Sequence, residues 1–168
     1  MSIFFETLHN LPIFEQSKIV MCYVSTHKEA DTHTLINEML FCGKKVAVPK
    51  SYDDFSMDFY FISSLSELID GKFGIKEPRC DINNLFTIDK SQPDITKQLI
   101  IVPGVEFDIK KNRKGHGCGY YDRYFHRYGK DNFYKIGLAR EAQIKEAIEV
   151  KPHDVPMDLI IAESGRII

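Results

Sequence analysis

Residues 113–123 read Arg-Lys-Gly-His-Gly-Cys-Gly-Tyr-Tyr-Asp-Arg, with a glycine at every second position from Gly115 to Gly119. Alternate glycines let backbone N–H groups approach an anion without interference from Cβ atoms, and Arg113 and Lys114 can neutralise its charge. The stretch therefore predicts a phosphate-binding loop. A glycine-rich run alone is equally typical of a flexible turn, so the flanking sequence has to decide between the two interpretations.

The flanking sequence predicts a strand before the glycines and a helix after them. Residues 98–104 contain an apolar run that ends in Pro103 and Gly104, as buried strands often do. A helix start offers unpaired N–H groups and the positive end of a dipole, both of which favour an anion. The spacing matches neither a Walker loop nor a dinucleotide-binding fingerprint. Aromatic residues at helical spacing follow the glycines: Tyr120, Tyr121, Tyr124, Phe125 and Tyr128.

Length and charge bound the class of protein. A chain of 168 residues suits a single domain over residues 1–168. There are 22 Lys and Arg residues against 24 Asp and Glu, and the basic residues are dispersed apart from Lys110–Lys114. That distribution argues against a nucleic-acid surface and leaves a local anion site open. With no signal-peptide pattern and no run of about 18 apolar residues, we expect a cytoplasmic protein, monomer or homodimer, without a membrane partner.

The four cysteines indicate a reduced, intracellular setting, because they form no Cys-x-x-Cys pair and no metal-binding spacing. Cys22 and Cys42 lie in apolar runs and are expected in the core. Cys118 lies inside the glycine loop, where we expect a passive role.

Strand and helix patterns alternate along the chain, which predicts an α/β fold with a mainly parallel sheet. Predicted strands are Lys18–Tyr23, Lys45–Val48 halted by Pro49, a more exposed Met57–Ile62, Tyr134–Leu138 and Leu159–Ala162. Predicted helical segments are Phe4–Leu11, Thr32–Cys42, a turn at Leu65–Ile69 and a short piece at Gln143–Ile148, with an irregular stretch from Pro78 to Pro93.

Ligands of such folds bind beyond the carboxyl ends of the strands, so polar residues after strands are site candidates. Residues 25–32, 103–108 and 152–158 meet this condition beside the glycine loop. Helix capping would equally explain Asp31 and Thr32, and turn geometry would explain Asp154 and Asp158.

Six segments together resemble the 5-formyltetrahydrofolate cyclo-ligases, also called methenyltetrahydrofolate synthetases. They keep the family's order over nearly the whole chain, and the glycine loop is close to the family form Arg-Leu-Gly-x-Gly-x-Gly-Tyr-Tyr-Asp. The segments are Glu29–Thr32, Gly43–Pro49, Gly74–Pro78, Val102–Asp108, Arg113–Arg123 and His153–Asp158.

The resemblance implies a three-layer α/β/α fold of the NagB/RpiA/CoA transferase-like kind. It also implies ATP- and Mg²⁺-dependent conversion of 5-formyltetrahydrofolate into 5,10-methenyltetrahydrofolate, with ADP and phosphate released. In that reaction ATP phosphorylates the formyl oxygen, and a neighbouring folate nitrogen then closes the ring. Such chemistry demands phosphate positioning and charge neutralisation more than covalent help from side chains.

Site residues follow from the resemblance position by position. Arg113, Tyr120 and Asp122 are the implied catalytic residues, and Asp122 with Asp154 the magnesium ligands. Implied ATP contacts are Arg113, Lys114, Gly115, His116, Gly117, Cys118, Gly119, Tyr120 and Tyr121. Implied folate contacts are Asp31 as the main carboxylate for the pterin, Glu29 as a weaker candidate, Thr26, His116, Gly117, Cys118, Gly119 and Tyr120. Which of Tyr120 and Tyr121 packs in the core stays open.

Three departures from the family pattern leave alternatives. Lys114 stands where the family usually has an apolar residue, and Cys118 where it has Gly or Lys. The basic helix with which the family's sequences normally start is missing before Lys18. A chain without that helix could bind folate or nucleotide without turning it over. A third alternative is a generic phosphate-binding α/β enzyme such as a sugar-phosphate isomerase.

Overall fold

A six-stranded sheet forms the centre of the protein in a computed structural model that describes residues 1–88 and 97–168. Part of the irregular stretch predicted up to Pro93 lies outside the described residues. The sheet contains β1 (Ile19–Cys22), β2 (Lys45–Ser51), β3 (Met57–Ile62), β6 (Gln98–Val102), β9 (Phe133–Ala139) and β11 (Leu159–Ala162).

The strand order β11-β9-β6-β1-β2-β3 is parallel throughout except at β3, which pairs antiparallel with β2. The chain runs from β1 to β2 on one side and continues through β6, β9 and β11 on the other. The direction of winding therefore changes between β1 and β6, and a crevice opens there in folds of this kind. The α/β class with a mainly parallel sheet is confirmed.

Four α-helices in the described part of the chain accompany the sheet: α1 (Ile3–His9), α2 (Pro12–Gln16), α3 (His33–Phe41) and α4 (Tyr120–Tyr128). Helix α1 packs against α2 and α3, and α4 packs on β3. The aromatic stripe predicted from the sequence faces inward, since Phe125 is fully buried and its ring lies 5.3 Å from that of Phe133. In the described part of the chain, no helix has the length and apolar character needed to cross a membrane.

Short elements, most of which the sequence did not predict, lie between the main strands and helices. β7 (Glu106–Asp108), β8 (Arg113–Lys114) and β10 (Ile144–Lys145) form a small sheet, and β4 (Ile69–Asp70) pairs with β5 (Lys76–Glu77). Five 3-10 turns complete the described structure: Leu65–Glu67, Lys72–Gly74, Ile82–Asn84, Lys130–Asn132 and Glu141–Gln143.

Three predictions about individual elements were wrong. Pro49 does not halt β2, because past Ala47 the strand pairs only with β3, and an edge position tolerates the missing proline N–H. The helical piece at Gln143–Ile148 is a 3-10 turn followed by β10, since so short a segment gains more from pairing with β7 than from isolated helix. The strand β3 is largely buried, because the Phe59 ring lies under Tyr121 and Tyr124 of α4.

Short stretches of the same chain cover both edges of the central sheet. Along β3, Tyr60 forms an antiparallel bridge with Leu85, and the Phe86 N–H donates to the carbonyl of Phe59. Along β11, Ile161 bridges Ile167. Backbone groups at both edges therefore have partners within the chain.

Asp108 organises the hairpin that leads from β7 to β8. Its side chain is buried, and it accepts hydrogen bonds from the backbone N–H groups of Lys110, Asn112 and Ile148 and from the amide of Asn112. Burial alone would raise the pKa of this carboxyl, but these hydrogen bonds outweigh it and lower the pKa below the usual value. The ionised carboxylate thus fixes the turn before the glycine loop.

We expect Phe125→Ala to lower the free energy of unfolding by about 3–5 kcal/mol, because it empties the aromatic cluster between α4 and β9. Chemical denaturation of wild type and variant measures the difference. Phe41→Ala is the control, since Phe41 is 94% exposed at the end of α3 and should change stability by less than about 0.5 kcal/mol. Equal losses in the two variants would contradict the assigned core.

We expect Asp108→Asn to lower the free energy of unfolding by about 1–3 kcal/mol at neutral pH, since an amide cannot accept all four hydrogen bonds. The native pKa lies below the unfolded value of about 3.9, so the contribution is present above pH 4 and lost as the pH falls further. Denaturation between pH 3 and pH 7 should show the difference from wild type shrinking only at the acid end. A constant difference would refute the ionised role, and Asp53→Asn, at an exposed carboxylate, should have no measurable effect.

Candidate active site

A cavity of about 1000 Å³ opens where the direction of winding changes in the sheet. Residues after β1 line one part of it, Pro103 and Gly104 after β6 line another, and the glycine loop lines a third. This position is the one expected for ligands of open α/β sheets, and the size suits a small-molecule site. His153 and Asp154 line it as well, so the structure brings all four predicted segments together around one space.

The glycine loop enters helix α4 as the sequence predicted. Gly117 has φ +95° and Gly119, at the N-cap of α4, has φ +69°, which are conformations that favour glycine. A Cβ on Gly117 would point into open space, whereas one on Gly119 would meet the Arg123 guanidinium at 3.0 Å. Arg123 in turn donates to the carbonyl of Cys118. The loop is therefore held by its own helix while Gly117 leaves room for a ligand.

Gly115 lies against the side chain of Arg113. A Cβ at this position would lie 2.8 Å from Nη1 of Arg113, whose guanidinium crosses directly beside the loop. The absence of a side chain at Gly115 makes room for that guanidinium. Of the alternating glycines, Gly117 alone combines a positive φ with open space beside its Cα.

Arg113 and Asp122 form a buried ion pair at the base of the loop. Nη2 of Arg113 donates to Oδ2 of Asp122 at 2.8 Å, and the two side chains are 5% and 13% exposed. Oδ1 of Asp122 accepts from the backbone N–H of Val155 at 3.0 Å. Asp122, which the resemblance implies as a magnesium ligand, therefore also ties α4 to β8 and to residues 152–158.

The two tyrosines after the glycines occupy different environments, although both line the cavity. Tyr120 is half-buried, and its hydroxyl donates to the carbonyl of Tyr52 at 3.2 Å. Tyr121 is the core residue of the pair; its hydroxyl is buried without a hydrogen-bond partner in the described structure. Burial raises the pKa of Tyr121 well above its ordinary value, with nearby Cys22 and Glu29 contributing further.

The loop after β1 holds three of the residues that the resemblance implies as folate contacts, Thr26, Glu29 and Asp31. Glu29 is buried and accepts from the backbone N–H and the hydroxyl of Thr26, at 2.8 and 3.0 Å. Thr26 lines the cavity. Asp31 is exposed, accepts from the N–H of His33 at the start of α3, and is not among the cavity-lining residues. Asp31 thus has the helix-start role that the sequence left open. Glu29 is not in the lining either, but its carboxylate is bonded to the lining residue Thr26.

Asp154 lines the same cavity as Asp122. Its Oδ2 accepts from the Lys151 N–H at 2.7 Å, and Oδ1 lies 3.7 Å from Nε2 of His153. Within residues 1–88 and 97–168, no group of three or more His, Cys, Asp or Glu side chains is arranged to hold a metal ion. Any divalent ion bound here would need ligand oxygens from a substrate and from water.

Sequence reasoning missed several basic residues on the cavity wall. His27, Lys28, His33, Lys76 and Lys151 line it, together with Ser51 from the end of β2. In the sequence, the only sign that these residues belong to the site was their position after predicted strands or in the Gly74–Pro78 segment. Lysine and arginine side chains in the lining outnumber the carboxylates Asp122, Glu149 and Asp154, so the cavity favours an anionic ligand.

Comparison with known proteins agrees with this arrangement. Residues 2–163 match the family model described as the 5-formyltetrahydrofolate cyclo-ligase family. A Schizosaccharomyces pombe protein named probable 5-formyltetrahydrofolate cyclo-ligase is 33% identical over 158 residues, which cover 88% of this chain and 72% of the relative. The 5-formyltetrahydrofolate cyclo-ligase of Saccharomyces cerevisiae is 31% identical, with 96% of this chain and 83% of the relative covered.

A solved structure extends the match to three dimensions. The NMR structure of Aquifex aeolicus 5,10-methenyltetrahydrofolate synthetase is similar with a TM-score of 0.73 and 31% sequence identity, and the match covers 98% of this chain and 78% of that one. The chain therefore belongs to the 5-formyltetrahydrofolate cyclo-ligase family, whose enzymes form 5,10-methenyltetrahydrofolate from 5-formyltetrahydrofolate.

Proposed function

We propose that this protein cyclises 5-formyltetrahydrofolate to 5,10-methenyltetrahydrofolate at the expense of ATP, with Mg²⁺ as the metal. The observation that carries the proposal is the position of the glycine loop. It leads into the N-terminus of helix α4 and lines a basic cavity, which lies where the direction of strand winding changes in the sheet. Backbone N–H groups and the positive end of the helix both favour a phosphate there.

The proposed reaction has two steps. The formyl oxygen of the folate attacks the γ-phosphorus of ATP, the bond from that phosphorus to the bridging oxygen breaks, and ADP leaves. The neighbouring folate nitrogen then attacks the formyl carbon, loses its proton to solvent, and the carbon–oxygen bond breaks to release phosphate. Neither step needs a covalent bond to the protein, so the cavity has to align the two substrates and stabilise negative charge.

The protein's part in charge stabilisation falls to the loop and its basic neighbours. Lys114 and His116 are exposed beside the glycines, and Lys76 also lines the cavity. Gly117 gives the close backbone approach that a phosphate requires. Residues 116–120 would contact both substrates, because the γ-phosphate and the formyl group must meet at this point.

The proposed magnesium ligands are Asp122 and Asp154. Carboxylate oxygens suit Mg²⁺, which usually takes one or two of them and completes its octahedron with phosphate oxygens and water. Both carboxylates line the cavity, so the donor set fits the ion. Bound Mg²⁺ would neutralise negative charge on the phosphates during transfer.

Recognition of the pterin is proposed for the loop after β1. A carboxylate accepts hydrogen bonds from the amino and ring N–H groups of a pterin. Glu29 is better placed for this than Asp31, because its carboxylate is bonded to the cavity residue Thr26, whereas Asp31 is exposed and accepts from the His33 N–H at the start of α3.

The activity is tested by adding 5-formyltetrahydrofolate and ATP and following the absorbance of methenyltetrahydrofolate. We expect product only when ATP and Mg²⁺ are both present, and an excess of chelator should abolish it. Folded protein that forms no product with saturating substrates would overturn the proposal. Calorimetry on the same sample would then distinguish a protein that still binds folate from one that binds neither substrate.

We expect Gly117→Val to reduce turnover by at least about 100-fold, because the side chain would occupy the space kept for phosphate and would disfavour the positive φ. Gly43→Val is the matched control. Gly43 has φ +83°, has open space around it and lies in the turn before β2, outside the cavity. Both variants carry similar backbone strain, so equal activity in the two would contradict the role assigned to Gly117.

A further inference from the structure

Both carboxylate oxygens of Asp122 already accept a hydrogen bond in the structure, although this residue is the proposed metal ligand. One oxygen accepts from Nη2 of Arg113 at 2.8 Å and the other from the Val155 N–H at 3.0 Å. Both partners bring positive or partially positive charge to the carboxylate. The site therefore already contains a cation at Asp122 before any metal arrives.

A magnesium ion and the Arg113 guanidinium compete for the same carboxylate. Mg²⁺ binds carboxylate oxygens at about 2.0–2.1 Å, so an ion on Oδ2 would lie within a few ångströms of the positive charge of Arg113. The Arg113 side chain is 5% exposed, and water screens little of that repulsion. Binding of free Mg²⁺ at Asp122 is thus opposed unless Arg113 gains another partner.

Arg113 has an unused hydrogen-bond donor for such a partner. Its Nε is buried without a hydrogen-bond partner in the described structure, and buried donors are nearly always satisfied in native proteins. Arg113 also lines the cavity beside Gly115, and the planar guanidinium suits phosphate oxygens. The unpaired donor points to an anionic ligand that completes the site.

We propose that Arg113 occupies Asp122 as a placeholder cation, and that it transfers to phosphate oxygens only when metal and nucleotide enter together. The inference rests on the proposed role of Asp122 as a metal ligand. Arg113 is then a positioning residue in the empty site and a phosphate contact in the loaded one. The pair makes the site selective for the metal–nucleotide complex over free Mg²⁺, because only the complex supplies the anion that accepts Arg113.

Isothermal titration calorimetry with Mg²⁺ alone, ADP with chelator, and Mg·ADP tests the placeholder role. We expect Arg113→Met to bind Mg²⁺ alone at least about tenfold more tightly than wild type, because Asp122 is released. Its affinity for Mg·ADP should fall, since the phosphate contact is lost. Arg113→Lys keeps a charge on a shorter side chain and should give an intermediate gain for Mg²⁺ alone. That variant decides the question if Arg113→Met does not fold.

Lys135→Met is the matched control for loss of a buried ion pair. Lys135 is 7% exposed and pairs with Asp158 at 2.7 Å, and it does not line the cavity. Its removal should destabilise the protein without changing the affinity for Mg²⁺. A comparable gain in Lys135→Met and Arg113→Met would show general loosening and would overturn the inference.

Asp122→Asn separates failure of this inference from failure of the proposed metal site. If Asp122→Asn weakens Mg·ADP binding but neither Arg113 variant gains affinity for Mg²⁺ alone, the placeholder role is refuted and the metal role stands. If Asp122→Asn binds Mg·ADP as tightly as wild type, both are refuted. The double variant Arg113→Met/Asp122→Asn should lose the gain seen in Arg113→Met, and retention of the gain would place the new metal site elsewhere.

Discussion

The buried ion pair between Arg113 and Asp122 is the constraint on which the site depends. It joins the first residue of β8 to the first turn of α4 through a distance of 2.8 Å between Nη2 of Arg113 and Oδ2 of Asp122. The pair therefore links the two ends of the glycine loop. The hydrogen bond from Val155 adds a third segment to the same point. Removing one partner of a buried pair leaves an uncompensated charge. The geometry of the loop, the stability of the fold and the proposed chemistry therefore all depend on this ion pair.

Each glycine of the loop meets a different steric or backbone requirement. Gly115 admits the Arg113 guanidinium, Gly119 lets the chain turn into α4, and Gly117 borders the cavity. The three glycines are evenly spaced in the sequence, but each has different surroundings in the structure. The ion pair accounts for the glycine two residues after Arg113, since a Cβ at Gly115 would lie 2.8 Å from Nη1 of Arg113.

Local pattern was enough to predict the strand, the glycine loop and the amphipathic helix, because each is encoded within a dozen residues. It could not predict β7, β8 and β10, since strands of two or three residues show no periodicity and form only when distant segments meet. The same limit applies to the pair Arg113 and Asp122, for which the family pattern suggested ligands alone. Glu29 and Asp31 are both carboxylates of one loop, and they differ in burial, which the sequence does not show. Glu29 is buried and bonded to the cavity residue Thr26, whereas Asp31 is exposed at the start of α3.

The covered edges of the central sheet have a consequence for association between copies of the chain. Leu85 and Phe86 along β3, and Ile167 along β11, occupy backbone groups that a foreign strand would otherwise bind. Exposed strand edges are the usual templates for intermolecular β-pairing and fibril growth. These contacts shorten the free edge that a sheet rich in valine and isoleucine offers to a strand from another copy of the chain.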